Sequence, residues 1–205
     1  MSILLIRHGE TALNVARVLQ PADTPLSARG VAQAEALARR LQAIGVAAIL
    51  SSDLPRALRT AQAIAATTGA VIETSALLHE RNFGDLRGMA YDGLSINPLT
   101  MLDAPPGGES ASAFVHRVAL AFESIVQRRA ALGEGTLAVV THGLLIRALL
   151  GTHVTLPHAA PAPAHLGNTS LSIVEARPPH RVTRLDCTLH LGANFMDDAK
   201  ALSGG

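Results

Sequence analysis

The chain has few aromatic residues, a single cysteine and no excess of either charge. Only 2% of its 205 residues are aromatic and none is tryptophan, so the core must be built from aliphatic side chains. The lone Cys187 excludes an internal disulfide and suits a reducing compartment, so we expect a cytoplasmic protein. A formal net charge of +1 offers no bulk-charge argument for binding nucleic acid or a membrane surface, and we expect neither partner.

Long hydrophobic runs are also absent. The longest, Leu137–Leu150, is interrupted by Thr141, His142 and Arg147, and it falls short of the roughly 20 residues that a membrane-spanning helix needs. Hydrophobic residues make up 48% of the chain and charged ones 16%, a composition typical of a globular protein. The sequence therefore argues against a transmembrane protein.

The length suits one domain of ordinary size. We expect that domain to occupy residues 1–192, and we expect residues 193–205 to form a flexible C-terminal tail.

Short apolar runs alternate with longer helical patterns along most of the chain. This order is typical of an α/β protein with a largely parallel sheet. None of the runs alternates strictly between apolar and polar residues, as expected where helices cover both faces of the sheet. The predicted strands are Ile3–Ile6, Val46–Leu50, Ala70–Ile72 and Leu137–Val140, followed by an edge hairpin of Ser170–Val174 and Arg181–His190. The predicted helices cover 27–44, 52–68 and 110–129, and a fourth starts near Gly143.

Three of these strands end in a polar cluster that leads into a helix. The clusters begin with Arg7-His8-Gly9, with Ser51-Ser52-Asp53 ahead of Arg56, and with Thr141-His142-Gly143. The carboxyl ends of parallel strands meet at one edge of a sheet, which is where ligands bind in this class of fold. We therefore expect two imidazoles and two guanidiniums in one pocket. Arginine recognises phosphate with two parallel hydrogen bonds, so a phosphoryl group is the expected ligand.

The pairing of histidine with arginine at such a site favours phosphoryl transfer. A neutral His8 imidazole can attack phosphorus and form a covalent phosphohistidine. Arg7, Arg56 and His142 would neutralise the oxygens on which charge gathers, so the chemistry requires no metal ion and no cofactor. Glu80, on the long connection Leu77–Gly108, could protonate the leaving alcohol, although Asp85 is a rival acid nearby.

At these residues the sequence resembles the histidine phosphatase superfamily, in its phosphoglycerate-mutase-like branch. Six further segments follow the first motif in the order found in the family. The first motif is "LIRHGET" at 5–11. The six that follow are "DTPLSARG" at 23–30, "SSDLPRALRTAQAIA" at 51–65, "LHERNFGDLRG" at 78–88, "GGES" at 107–110, "VTHG" at 140–143 and "NTSLS" at 168–172.

The resemblance implies a fold and a set of roles. The fold would be a three-layer α/β/α sandwich around a mostly parallel, doubly wound sheet. His8 falls on the phosphorylated nucleophile of the family, and Glu80 falls on its proton donor. The residues that match phosphate-contacting or pocket-lining positions are Arg7, Thr11, Asn14, Arg56 and His142.

Two departures from the family pattern favour a phosphatase over a mutase. Pro21 stands just before "DTPLS", where mutases usually carry a glycine-containing segment, and proline has no backbone N–H to donate. In addition, no arginine or lysine occurs between Arg87 and His116, where larger mutases carry extra basic residues. We therefore expect a metal-independent phosphatase acting on a small phosphorylated metabolite. Phosphoglycerate mutase activity, and a non-catalytic module that binds phosphorylated ligands, remain the alternatives.

Overall fold

A computed structural model describes residues 1–157 and 161–192. The strands are β1 (Ser2–Arg7), β2 (Val46–Ser51), β3 (Val71–Thr74), β4 (Thr136–Thr141), β5 (Leu171–Glu175) and β6 (Val182–Cys187). The α-helices are α1 (Ala12–Val15), α2 (Ala28–Gln42), α3 (Pro55–Thr68), α4 (Ala111–Ala130) and α5 (Gly143–Thr152). Short 3₁₀ turns lie at Ala76–Leu78, Gly84–Leu86 and Tyr91–Gly93. The C-terminal tail predicted over 193–205 lies outside the described residues.

All six strands form one mixed sheet of order β3-β2-β4-β1-β5-β6. Strands β1 and β2 both pair in parallel with β4, and β3 pairs in parallel with β2. Strand β5 runs antiparallel to β1, and β6 completes the predicted edge hairpin. The catalytic-site prediction depends on the middle of this order, because it makes β2, β4 and β1 immediate neighbours.

Helices cover both faces of the sheet. Alternate residues of β1 show this directly, since Ile3 and Leu5 belong to one buried cluster and Leu4 and Ile6 to another. The first cluster includes side chains of α4 and α5, and the second includes side chains of α2 and α3. The predicted three-layer α/β/α sandwich is therefore confirmed.

Helix α3 begins at Pro55, three residues after the predicted start, and has no side-chain cap. The residue at the N-cap position is Leu54, which makes no side-chain capping bond. Pro55 follows it and has no N–H to satisfy, which reduces the need for a cap. Asp53 pairs with His79 instead of capping the helix. The four-residue α1 is not among the helices predicted above, but it confirms the alternative interpretation of Thr11 and Asn14 as residues of a helix start.

The predicted long connection, Leu77–Gly108, contains 3₁₀ turns but no α-helix or strand. Its middle part is hydrogen bonded to the segment that follows α1. The Gly88 N–H donates to the carbonyl of Leu19 at 2.7 Å, and the Leu19 N–H donates to the carbonyl of Met89 at 3.0 Å. The two segments therefore form a short paired ribbon, which we call the 17–19/88–91 ribbon.

Two glycines allow α2 to pack against the chain just after His8. A Cβ added at Gly30 would lie 2.0 Å from the carbonyl oxygen of Glu10, and one at Gly9 would lie 2.5 Å from the carbonyl oxygen of Gly30. Both contacts are with backbone atoms, which cannot move away as the end of a flexible side chain could. Any side chain at either position must therefore push α2 away from the segment that carries His8.

We expect Gly30→Ala to destabilise the protein by roughly 1–3 kcal/mol, the range for overpacking a close contact. The measurement is the free energy of unfolding in urea. Gly151→Ala is the matched control, because Gly151 lies in α5 and its added Cβ would meet nothing within 4 Å. The control should be neutral or stabilised by up to about 1 kcal/mol, since alanine is the better helix former. Equal stability of both variants would contradict the packing argument.

Candidate active site

The ends of β1, β4 and β2 bring the three predicted polar clusters together. Arg7, the last residue of β1, is in register with Thr141, the last residue of β4. The next residue continues the contact, because the His8 N–H donates to the carbonyl of Thr141 at 3.0 Å. On the other side of β4, the Ser52 N–H donates to the carbonyl of Val140 at 2.9 Å. The backbone therefore fixes where each cluster starts.

A hydrogen bond to the neighbouring backbone holds the ring of His8. Its Nδ1 lies 2.7 Å from the carbonyl oxygen of Gly9. A carbonyl can only accept, so Nδ1 carries the proton and donates it. The neutral ring then has its free lone pair on Nε2. This tautomer leaves a nucleophilic nitrogen in a fixed orientation.

The rings of His8 and His142 lie side by side, with centroids 5.1 Å apart and planes inclined at 59°. Both are buried, with 1% and 0% of their surface exposed. Burial lowers the pKa of each imidazole well below its ordinary value, and the charges of Arg56 and Arg7 lower both pKa values further. Both rings are therefore held neutral.

Ser52 orients His142. Its Oγ lies 2.9 Å from Nε2 of the ring and also accepts the N–H of Leu54 at 3.3 Å. Because the Ser52 oxygen accepts a hydrogen bond from Leu54, its hydroxyl proton can be donated to Nε2 of His142. The ring proton of His142 is then on Nδ1. Among the described residues, Nδ1 of His142 is buried without a hydrogen-bond partner. It is therefore suited to donate to an anion.

The two predicted guanidiniums are buried beside these rings. Arg7 donates to the carbonyl of Leu166, and Arg56 Nη1 lies 3.4 Å from the carbonyls of both Pro21 and Ala22. Burial lowers the pKa of Arg56 to about 10, opposed by the negative charge of Glu80. Arg56 nevertheless stays cationic at neutral pH. A site with two buried cations is suited to an anionic ligand.

Glu80 is buried and held by two backbone donors. One carboxyl oxygen accepts the N–H of Arg81 and the other accepts the N–H of Leu144, both at 3.0 Å. Burial raises the pKa of Glu80, and these two bonds together with Arg56 oppose that rise. A raised pKa lets a carboxyl keep a proton that it can donate. The rival acid Asp85 is exposed, so it lacks this environment.

Thr11 and Asn14 cap α1. The hydroxyl of Thr11 accepts the backbone N–H of Asn14 at 3.0 Å, and the side chain of Asn14 accepts the backbone N–H of Thr11 at 3.2 Å. This reciprocal pair is a capping box. The same hydroxyl also donates to Gln20 at 2.8 Å. A structural role is thus evident for both residues, and their contact with phosphate stays a prediction.

Asn168 and Ser52 support the site, although both stand in motifs quoted above without a role assigned to them. Asn168 Nδ2 donates to the carbonyl of His8 at 3.1 Å, and Ser52 holds His142 as described above. Ser52 directly follows β2, so its position at a strand end was an available signal. The backbone N–H of Leu144 left no such signal, because a backbone donor cannot be recognised from a residue type.

Two of the acidic residues near the site have other partners. Glu10 accepts a hydrogen bond from Ser27 and pairs with Arg29, and Asp53 pairs with His79.

Within residues 1–157 and 161–192, no three acidic, histidine or cysteine side chains are grouped so that they could hold a metal ion. In the same part of the chain, no helix is long and apolar enough to cross a membrane.

Comparisons with known proteins agree with this geometry. The family model described as "Histidine phosphatase superfamily (branch 1)" matches residues 3–186. A protein of Serratia proteamaculans (strain 568), named "Probable phosphoglycerate mutase GpmB", is 35% identical over 186 residues, which are 85% of each chain.

Solved structures of similar proteins share the fold. A mycobacterial glucosyl-3-phosphoglycerate phosphatase superposes with a TM-score of 0.75 at 28% identity, covering 91% of this chain and 98% of the other. It has also been solved in complex with inorganic phosphate. Bacillus stearothermophilus YhfR superposes with a TM-score of 0.77 at 29% identity, covering 92% of this chain and 98% of the other. With a family model that matches nearly its whole length and with relatives of this similarity, the chain belongs to branch 1 of the histidine phosphatase superfamily.

Proposed function

We propose that the protein is a phosphatase that hydrolyses a small phosphomonoester through a phosphohistidine on Nε2 of His8. The bond from Nδ1 of His8 to the carbonyl of Gly9 carries this proposal, because it directs the lone pair of a buried, neutral imidazole away from the backbone. The neighbouring His142, Arg7 and Arg56 supply donors and positive charge for a phosphoryl group.

In the first step, Nε2 of His8 attacks phosphorus and the bond from phosphorus to the alcohol oxygen breaks. Glu80 gives its proton to that oxygen, so the alcohol leaves neutral. The Nδ1 proton stays on the ring and keeps its bond to Gly9, which stabilises the positive charge of the phosphorylated imidazole. Arg7, Arg56 and His142 donate to the phosphoryl oxygens.

In the second step, water replaces the alcohol. Glu80, now a carboxylate, takes a proton from the water molecule as its oxygen attacks phosphorus. The bond between phosphorus and Nε2 breaks, inorganic phosphate leaves, and both Glu80 and the neutral His8 are regenerated. The same two groups therefore serve both halves of the reaction.

The environment of the site favours a small substrate. The nucleophile is 1% exposed and Glu80 is 4% exposed, and groups buried this deeply suit a small phosphorylated ligand better than a broad macromolecular surface. Residues 88–115, which comprise most of the connection beside the site and the first turn of α4, include no arginine or lysine. The structurally similar mycobacterial phosphatase acts, by its name, on a glycosylated phosphoglycerate. A phosphorylated metabolite fits these observations.

We expect His8→Ala to lower kcat/KM for p-nitrophenyl phosphate by at least about 10³-fold, because losing a covalent nucleophile leaves only binding and electrostatic catalysis. Acid-quenched wild-type protein should carry acid-labile phosphate after mixing with a ³²P-labelled phosphoester, and His8→Ala should carry none. His116→Ala, at an exposed position on α4, is the control and should be labelled like the wild type. Turnover of His8→Ala at the wild-type rate would contradict the assignment, and tight ligand binding without any turnover would favour the non-catalytic alternative.

The pH dependence follows from the two shifted pKa values. His8 must be neutral to attack, and burial lowers its pKa below the ordinary 6.5, so kcat/KM should rise with pH along a limb centred below 6.5. Glu80 must be protonated to act as an acid, and burial raises its pKa above the ordinary 4.5, so kcat/KM should fall with pH along a second limb centred above 4.5.

Glu80→Gln should remove the second limb and keep the first. The measurement is the ratio of kcat/KM between variant and wild type across pH, because this ratio cancels the ionisation of the substrate itself. If the falling limb survives in Glu80→Gln, another group is the acid.

One pair of observations favours mutase activity as the second candidate. The 35% identical Serratia protein is named as a probable mutase, and a mutase must shield its phosphohistidine from water, which the burial of His8 would help to do. Against it, Pro21 offers no N–H, and its carbonyl accepts from Arg56.

With 3-phosphoglycerate as the substrate, we expect inorganic phosphate to be released faster than 2-phosphoglycerate is formed. A metabolite panel would show whether another phosphoester is hydrolysed faster still. The assay follows both products in one sample by ³¹P NMR, with EDTA present and with His8→Ala as the blank. Interconversion that outpaces phosphate release would establish the mutase instead.

A further inference from the structure

One guanidinium holds the backbone on the N-terminal side of Glu80. Arg117 lies on α4, and its Nη1 donates to the carbonyl of Leu77 at 2.9 Å and to that of His79 at 2.8 Å. Its Nη2 lies 3.3 Å from the carbonyl of Glu80 itself. These carbonyls belong to the end of a 3₁₀ turn and the residues after it, where the chain has no regular partner. A single side chain therefore replaces the hydrogen bonds that a helix or sheet would supply.

Glu109 holds the backbone on the other side. Its backbone N–H donates to the carbonyl of Asn82 at 2.8 Å, and its carboxylate lies 3.3 Å from the N–H of Asn82. Its carbonyl oxygen lies 3.4 Å from two nitrogens of the Arg81 guanidinium. Arg81 matters directly, because its backbone N–H holds one carboxyl oxygen of Glu80.

Arg117 and Glu109 are also hydrogen bonded to each other. Arg117 Nε lies 3.0 Å from one carboxylate oxygen of Glu109, and Nη2 lies 2.8 Å from the other. Both side chains are largely buried, with 18% and 15% of their surface exposed. A two-point ion pair of this geometry fixes the orientation of both groups. Residues 77–82 are thus tied to the start of α4 by one rigid unit.

We propose that Arg117 and Glu109 are positioning residues that hold the Glu80 carboxyl where it can protonate the leaving alcohol. The proposal rests on the proposed role of Glu80 as the general acid. Neither side chain of the pair contacts Arg7, His8, Arg56 or His142 in any hydrogen bond described here. The pair acts on Glu80 through the backbone of 79–82 and through the positive charge of Arg117, which lowers the pKa of the Glu80 carboxyl.

Arginine is the residue that this arrangement needs. Its planar fork makes the two-point bond to Glu109 and still presents N–H groups to three carbonyls. Lysine would keep the charge but offers only one nitrogen. Arg117→Lys therefore separates position from charge, and it is the central variant of the test.

The test compares kcat/KM for two esters that differ in their need for an acid. An alkyl phosphate needs its leaving oxygen protonated, and p-nitrophenyl phosphate needs this far less. Glu80→Gln should lose about 10²–10⁴-fold on the alkyl ester and much less on the aryl ester. Arg117→Lys should lose about 100-fold on the alkyl ester, the effect of misplacing a catalytic group by about 1 Å, and under about threefold on the aryl ester.

A second comparison asks whether the two residues act together. If Arg117 works only through Glu80, then adding Arg117→Lys to Glu80→Gln should cause no further loss on the alkyl ester. Glu109→Gln keeps the shape of the side chain and weakens the two-point bond, so it should show the same preference for the aryl ester to a smaller extent. If Arg117→Lys folds poorly, Glu109→Gln still tests whether the pair positions Glu80.

Arg128→Ala is the matched control. Arg128 lies on the same helix and pairs through Nε with Glu73 at 2.8 Å, away from residues 77–82. Its loss should change kcat/KM for both esters alike and by under about threefold, as expected of a partly exposed ion pair at the surface.

Two different failures are distinguishable. Equal losses on the two esters for Glu80→Gln would show that Glu80 is not the acid and would overturn the proposed mechanism. A Glu80→Gln profile of the expected kind, beside Arg117→Lys and Glu109→Gln variants that affect both esters equally, would overturn only the positioning role. A full additional loss in the double variant would overturn it as well.

Discussion

The site depends on the parallel pairing of β4 with β1 on one side and β2 on the other. The ladder hydrogen bonds continue for one residue beyond each strand, through the His8 N–H to Thr141 and the Ser52 N–H to Val140. The segments that carry His8, Arg56 and His142 start from these points. The imidazoles need no loop of their own to meet, because the sheet places their backbones and only the rings remain to be oriented. Gly9 and Ser52 then orient them.

Burying two guanidiniums beside two neutral imidazoles costs folding free energy. Desolvated charges lose several kcal/mol of hydration each unless they are paired, and Glu80 is the acidic group that acts on Arg56 here. The backbone carbonyls of Pro21, Ala22 and Leu166 offset part of this penalty. A phosphoryl dianion would offset much more of it. The affinity for an anionic ligand and the cost of burying the guanidiniums thus have the same origin.

The strand ends could be read from the sequence because each is a local pattern, in which an apolar run stops at a polar cluster. The same is true of α2, whose spacing matched the helix closely. The support of Glu80 is different in kind. Arg117 and Leu77 are 40 residues apart, and Arg81 and Glu109 are 28 apart, so no local spacing connects them. Interactions through backbone carbonyls add to the difficulty, because any residue type has one. The four-residue α1 was not among the predicted helices, since it is too short to show a period.

The bond between the His8 ring and the Gly9 carbonyl also bears on the stereochemistry of the proposed reaction. With Nδ1 committed to the backbone, only Nε2 is left to carry the phosphoryl group in that mechanism, so phosphorus undergoes one displacement onto this nitrogen and a second one off it. Each in-line displacement inverts the configuration at phosphorus. Two inversions restore it, so a chiral phosphoester would give phosphate, or a transferred ester, of retained handedness.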